Sequence, residues 1–190
     1  MNLEKFYKEL SDVTALRENR LKYANIILKD MSLFPKLIDI LFLVDDKVSC
    51  KAAWIFEFVC AEYLYAIVPY LNLFTSNLKK IRFDSAVRPV AKVCVFIAND
   101  YYSKKSSPLQ KVLTPVHKEL IVEACFDWMI SDHKVAVKVY AMETLYLFGK
   151  ESDWIHTELT LILEQDFSSQ SPGFKARAKR TLKKIKKNRK

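Results

Sequence analysis

Glycine is nearly absent from this chain: only Gly149 and Gly173 occur in 190 residues. Rossmann and P-loop folds need clustered glycines where backbone approaches phosphate, so the scarcity argues against both. Cysteine is sparse too. Cys50, Cys60, Cys94 and Cys125 form no C-x-x-C pair and fall within helical patterns, which reads as small, reduced core residues rather than a zinc or redox site. The three histidines, His117, His133 and His156, belong to three different helix starts or turns. No H-x-x-x-H or H-E-x-x-H spacing brings two of them onto one face for a metal, and no G-x-S-x-G elbow presents a nucleophile. No cofactor, metal or catalytic residue is expected. The charged start, Met1-Asn2-Leu3-Glu4-Lys5, lacks the apolar run and small-residue cleavage site of a secretory signal, so a cytoplasmic location is expected. The apolar stretch over residues 52–74 is interrupted by Glu57, Glu62 and Pro69, and it reads as a buried helix followed by another, not a membrane span.

About half of the residues are apolar, enough for one domain over 1–190 with a substantial core. Apolar residues recur at helical spacing almost throughout, as in Leu3, Phe6, Tyr7, Leu10 and in Phe34, Leu37, Ile38, Leu41, while alternating stretches are rare. The chain is therefore expected to be all-α. It also repeats itself: Asp45-Asp46-Lys47-Val48-Ser49-Cys50-Lys51 and Asp132-His133-Lys134-Val135-Ala136-Val137-Lys138 both spell D-x-K-V-x-x-K. Asp84-Ser85-Ala86-Val87 is a weaker copy, and Ser171-Pro172-Gly173-Phe174-Lys175-Ala176-Arg177 an echo. The copies are spaced by 39, 48 and 39 residues, the length of a helix pair with its turns. Caps and breakers predict five pairs: about 2–10 with 14–29, 32–44 with 47–63, 65–80 with 84–101, 115–131 with 133–148, and 153–166 with 172–187. Ser32 is expected to cap the third helix and the Asp45-Asp46 pair the fourth. The surplus of the long interval falls in Tyr101-Tyr102-Ser103-Lys104-Lys105-Ser106-Ser107-Pro108, a surface connector.

Asp-x-Lys-Val opening an inner helix, with alanines at 52 and 53 or at 141, resembles the HEAT and armadillo-like pattern over at least residues 33–187. The resemblance implies a right-handed α-solenoid of about five antiparallel helix pairs, a scaffold type that binds proteins, peptides or nucleic acid. The run from Asp132 to Trp154 and the segment Asp84-Ser85-Ala86-Val87-Arg88-Pro89-Val90-Ala91-Lys92 look like a family of short bacterial helical-repeat chains, some of which carry the label adenylosuccinate lyase. The S-S-x-M-P-x-K-x-N loop that marks the longer helical lyase has no counterpart in this sequence.

Charge is distributed unevenly. The formal net charge is +9, yet ten of the 31 basic residues lie in 175–190, where there is no acid. The remaining body is close to neutral. In the basic C-terminal helix expected over 172–190, Arg177, Arg180, Lys183, Lys184, Lys186 and Lys187 are candidates for a polyanion such as RNA or DNA. The competing reading is a capping helix with solvated faces, packed through a stripe of Phe174, Ala178, Leu182 and Ile185. On the expected concave side, Lys51, Glu57, Arg88, Lys92 and Lys138 are candidate exposed positions for a protein or peptide partner. Lys51, Lys138 and Arg177 share one register; a ladder of these cations with Asp84 or Asp132 of the next turn is the structural alternative. Size and architecture are also similar to helical-repeat alkylation-repair DNA glycosylases, for which Trp54 with Glu57, Asp127 with Trp128, and Arg88 are the candidate parts, against plain core or surface roles. Capped ends imply a monomer.

Overall fold

The computed structural model describes residues 2–165, 167 and 170–188. Met1 of the charged start, Asp166 at the end of the ninth predicted helix, and Arg189 and Lys190 of the basic tail lie outside them. Among the described residues the chain is all-helical, with eleven α-helices, three 3-10 segments and no strand.

The helices are α1 (Leu3–Ser11), α2 (Arg17–Lys29), α3 (Phe34–Leu41), α4 (Val48–Glu62), α5 (Leu71–Asn77), α6 (Asp84–Tyr101), α7 (Pro108–Val112), α8 (Pro115–Ile130), α9 (Val135–Phe148), α10 (Asp153–Gln165) and α11 (Pro172–Asn188). Nine of the ten predicted helices are present, with α6 matching to the residue. The connector after Tyr101 holds an unpredicted short helix, α7. A reciprocal cap starts it: Ser107 Oγ accepts from the Gln110 N–H, and the Gln110 side chain accepts from the Ser107 N–H. The expected helix at 65–80 is broken, because Pro69 offers no N–H for an α-turn. A 3-10 segment, Leu64–Tyr70, precedes α5, and the path bends by 115° between α4 and the segment ending at Lys80. No single helix among the described residues is long and apolar enough to cross a membrane.

One row of helices runs through the molecule: α2 packs on α4, α4 on α6, α6 on α9, and α9 on α11. Behind this row α3 backs α4, α8 backs α9, α10 lies against α9 and α8, and α5 leans on α8. The core is continuous from Phe6 in α1 to Ile185 in α11. Helices of the row are buried on several faces, so α4 carries Val48, Ala52, Ala53, Ile55, Phe56, Val59 and Cys60 inward instead of a single stripe. At its middle, Phe56 stacks on Phe34 with ring centroids 6.0 Å apart and meets Phe74 at 5.6 Å. Not every predicted hairpin is a packed pair. The partners of α1 are α3 and α4 rather than α2, and α5 lies against α8 rather than α6.

All four cysteines are buried and free, and burial pushes the thiols of Cys60, Cys94 and Cys125 upward, which makes them inert core residues. Gly149 ends α9 in an ordinary helical conformation; its reason is space, since a Cβ there would stand 2.1 Å from Cδ2 of the buried His156 ring. That ring stacks on Tyr146 at 5.6 Å and bonds the Tyr146 carbonyl oxygen through Nε2 at 2.9 Å.

The repeat turns are tied by polar contacts, but not with the expected partners. The third helix is approached through Asp30, whose Oδ1 accepts from the Ser32 N–H and hydroxyl; Ser32 donates rather than caps. In the first D-x-K-V copy the capping group is Asp46. Its Oδ1 accepts from the Val48 N–H at 2.9 Å, and its Oδ2 accepts from the Tyr7 hydroxyl at 2.5 Å. Asp45 instead forms an exposed pair with Arg82. The second copy has His133 in the place of Asp46, and its Nδ1 reaches Asp84 at the start of α6. The hydrogen bonds from Tyr7 and Val48 hold the Asp46 carboxyl below its ordinary value of 3.8. A depressed folded-state value contributes stability that is present above 3.8 and lost as pH falls through the lower folded value. Asp46→Ala is accordingly expected to cost about 1 kcal/mol at neutral pH, with the gap to the unaltered chain closing in acid. Urea unfolding of both proteins from neutral pH down to about pH 3 measures this; a gap that widens in acid contradicts it.

Candidate functional site

Pro89 lies within α6 and has no N–H to donate to the carbonyl of Ser85, one turn back. That carbonyl oxygen accepts from Trp54 Nε1 of α4 at 2.9 Å. The proline thereby creates an acceptor that fixes an indole between α4 and α6. Trp54 is half-buried rather than core. On its other side α2 supplies Arg20, whose guanidinium sits 5.8 Å from the Trp54 ring and 5.5 Å from the Phe58 ring. Arg17, one turn earlier, lies 5.6 Å from Phe58. Guanidinium groups over aromatic faces are favourable and orient the planar fork.

One turn along α4 from Trp54 is Glu57, buried with only 6% of its side chain exposed. Burying a carboxylate this deeply requires partners. Lys92 Nζ donates to Oε1 at 2.7 Å, and Arg88 Nη2 approaches Oε2 at 3.4 Å. Arg88 and Lys92 are one turn apart on α6, so the two cations share the face turned to α4. Both remain about one-third exposed, and Lys92 also lies 5.6 Å from the Phe96 ring.

Of these, Arg17, Arg20, Glu57, Phe58, Arg88 and Lys92 line an open cleft of about 400 Å³ between α2, α4 and α6, with Ala61 and Glu62 at its α4 end. A second hollow of about 270 Å³ continues past Arg20 and Arg88 to Lys134 and Ala136 at the start of α9. Arg20 and Arg88 line both. Arg20 Nε is buried with no hydrogen-bond partner among the described residues. The arrangement is suited to holding an anion by charge and directed N–H groups.

Of the five residues expected on the concave side, the structure brings Glu57, Arg88 and Lys92 into this cleft and leaves Lys51 and Lys138 out. Lys51 Nζ donates to the Ser11 carbonyl at the end of α1, where a lysine satisfies a helix terminus. Lys138 is buried, 8% exposed, and Glu57 is buried as well, so neither is the exposed position expected from sequence. The expected ladder does not form either: Lys51 turns back to α1, Asp84 bonds His133, and Asp132 is exposed. The parts considered for base excision divide in the same way. Trp54, Glu57 and Arg88 come together, while Trp128 is buried in α8 and Asp127 pairs with Lys79 at 3.0 Å. Sequence reasoning missed Arg17, Arg20 and Phe58; the spacing of the two arginines by three on α2 was the available signal. Among the described residues no cluster of His, Cys, Asp and Glu is placed to hold a metal.

The basic tail forms α11, which packs on α9 and α10 through Phe174, Ala178, Thr181 and Ile185. Thr181 takes the buried place expected for Leu182, which is half-buried. Arg180, Lys183, Lys184, Lys186 and Lys187 are exposed, and Arg177 is half-buried. Lys184 lies 5.1 Å from the Tyr146 ring. No protein-family model, curated protein or solved structure matches the chain.

Proposed function

We propose that the chain is a non-catalytic binding scaffold, a right-handed α-solenoid of HEAT-like repeats that holds a protein or peptide partner on its concave inner-helix surface. The cleft between α2, α4 and α6 is the observation that carries this reading: it is open, lined by directed polar groups and the Phe58 ring, and built on three neighbouring helices. Neighbouring helices that present charged groups over a packed core suit the recognition of a partner. The scaffold works as a monomer. An array of extended peptides probed with the purified chain tests the proposal, with Ala61→Trp as the variant. Ala61 is exposed on the cleft wall, so an indole there fills the space without touching the core. Peptide capture is expected to fall at least tenfold in Ala61→Trp with an unchanged melting temperature. Capture that is indifferent to the substitution places any binding elsewhere.

A second reading rests on α11, where Arg180, Lys183, Lys186 and Lys187 are exposed without an ion-pair partner among the described residues. A helix face of like charges attracts a polyanion, and affinity for RNA or DNA then falls steeply with salt. Changing Lys183, Lys184, Lys186 and Lys187 to glutamine is expected to abolish salt-dependent binding of labelled RNA, single-stranded DNA or duplex DNA in fluorescence anisotropy. An absence of binding by the unaltered chain at low salt retires this reading.

A further inference from the structure

Resting on the reading of the cleft as a peptide seat, we infer that it is selective for acidic peptides, with Arg20 and Arg88 receiving side-chain carboxylates. Four cations, Arg17, Arg20, Arg88 and Lys92, face this one space, against Glu57 and Glu62. Glu57 is already engaged, chiefly by the short bond from Lys92. The Arg88 contact to it is long, 3.4 Å, and the Arg88 fork retains N–H groups for another acceptor. Arg20 is the freer of the two. It has no ion pair among the described residues, and it stands on an aromatic shelf that orients it. Its Nε is a buried donor without an acceptor, so no neighbouring carboxylate already occupies this side of the guanidinium.

Because Arg20 and Arg88 line both hollows, a peptide lying along the cleft passes both guanidinium groups in succession. At the far end Lys134 adds a further cation, beside Asp84, whose carboxylate is already engaged by His133. A nucleic acid fits less well. The Trp54 and Phe58 rings that would stack on bases already carry guanidinium groups, and the carboxylates of Glu57 and Glu62 interrupt a phosphate track.

The test is fluorescence anisotropy of a labelled glutamate-rich peptide and a matched glutamine-rich peptide with the full chain, at low and moderate salt. The acidic peptide is expected to bind at least tenfold more tightly than the glutamine peptide. Arg20→Leu should erase that preference, and Arg20→Lys, which keeps the charge but not the fork, should restore part of it. Melting temperatures of both variants establish that the fold is kept; Arg88 is left unaltered because Glu57 depends on it. Equal binding of the two peptides overturns the inference. So does an acidic preference that survives Arg20→Leu, or one lost only when the α11 lysines are neutralised. Stronger binding of an oligonucleotide that is itself sensitive to Arg20→Leu overturns it in favour of nucleic acid. If Ala61→Trp removes peptide binding and Arg20→Leu does not, the peptide seat stands and its acidic selectivity falls. If neither matters, the seat itself falls.

Discussion

Phe56→Ala is expected to lower the stability of the chain by about 3–5 kcal/mol, the range for removing a phenylalanine from a packed core. Phe56 is fully buried and lies between Phe34 of α3 and Phe74 of α5, with centroid separations of 6.0 and 5.6 Å. Truncation removes the transfer free energy of the ring, leaves a cavity, and deletes two aromatic contacts at once. The cavity has little means of closing. Its walls come from three helices, and α4 is held on its other faces by α2 and α6. For a chain of this size the loss corresponds to a fall in melting temperature of roughly 6–20 °C. Phe56→Leu, which retains most of the volume, should cost less than half as much. Urea and thermal unfolding of the two variants measure the difference; equal, small effects would show that the aromatic stack is dispensable.

The second large effect concerns the charges around Glu57. Changing Arg88 and Lys92 together to methionine keeps their packing stems and removes both cations from a carboxylate whose side chain is only 6% exposed. Removing the partners of a buried charge is strongly destabilising, typically by 3–5 kcal/mol; the open cleft admits water, so about 3 kcal/mol is expected. Adding Glu57→Met to the same protein should recover most of that loss, since replacing a whole buried ionic group by apolar residues is commonly neutral or stabilising. The cost of the double change therefore measures a stranded carboxylate, not the strength of the original pairs. Chemical denaturation of the double and triple variants decides it. A triple variant no more stable than the double would mean that Arg88 and Lys92 act through packing alone. In either case ligand binding should be lost in the triple variant, because the cleft has then lost half of its cations.

Part of the cleft could be read from the sequence. Glu57, Arg88 and Lys92 were expected as exposed positions of inner helices; Arg88 and Lys92 are part-exposed at the cleft, while Glu57 is buried against them. Lys51 and Lys138, which share one register of the D-x-K-V copies, serve other ends, one closing the terminus of α1 and the other buried in α9. Periodicity says which face of a helix a residue occupies, but not which neighbour covers that face.

What the sequence determined by itself was local. Helical periodicity set the all-α class and placed nearly every helix, because burial at 3.6-residue intervals is written into neighbouring residues. Proline and the capping side chains located most of the breaks by the same short-range chemistry. Tertiary structure decided what lies far apart along the chain. It joined Trp54 to the carbonyl left open by Pro89, seated Glu57 between Arg88 and Lys92, and laid Arg20 across Trp54 and Phe58. It also gave α1 and α5 partners other than their sequence neighbours. The side-chain contacts join residues more than thirty positions apart, and all of this depends on how whole helices pack, which no local pattern encodes.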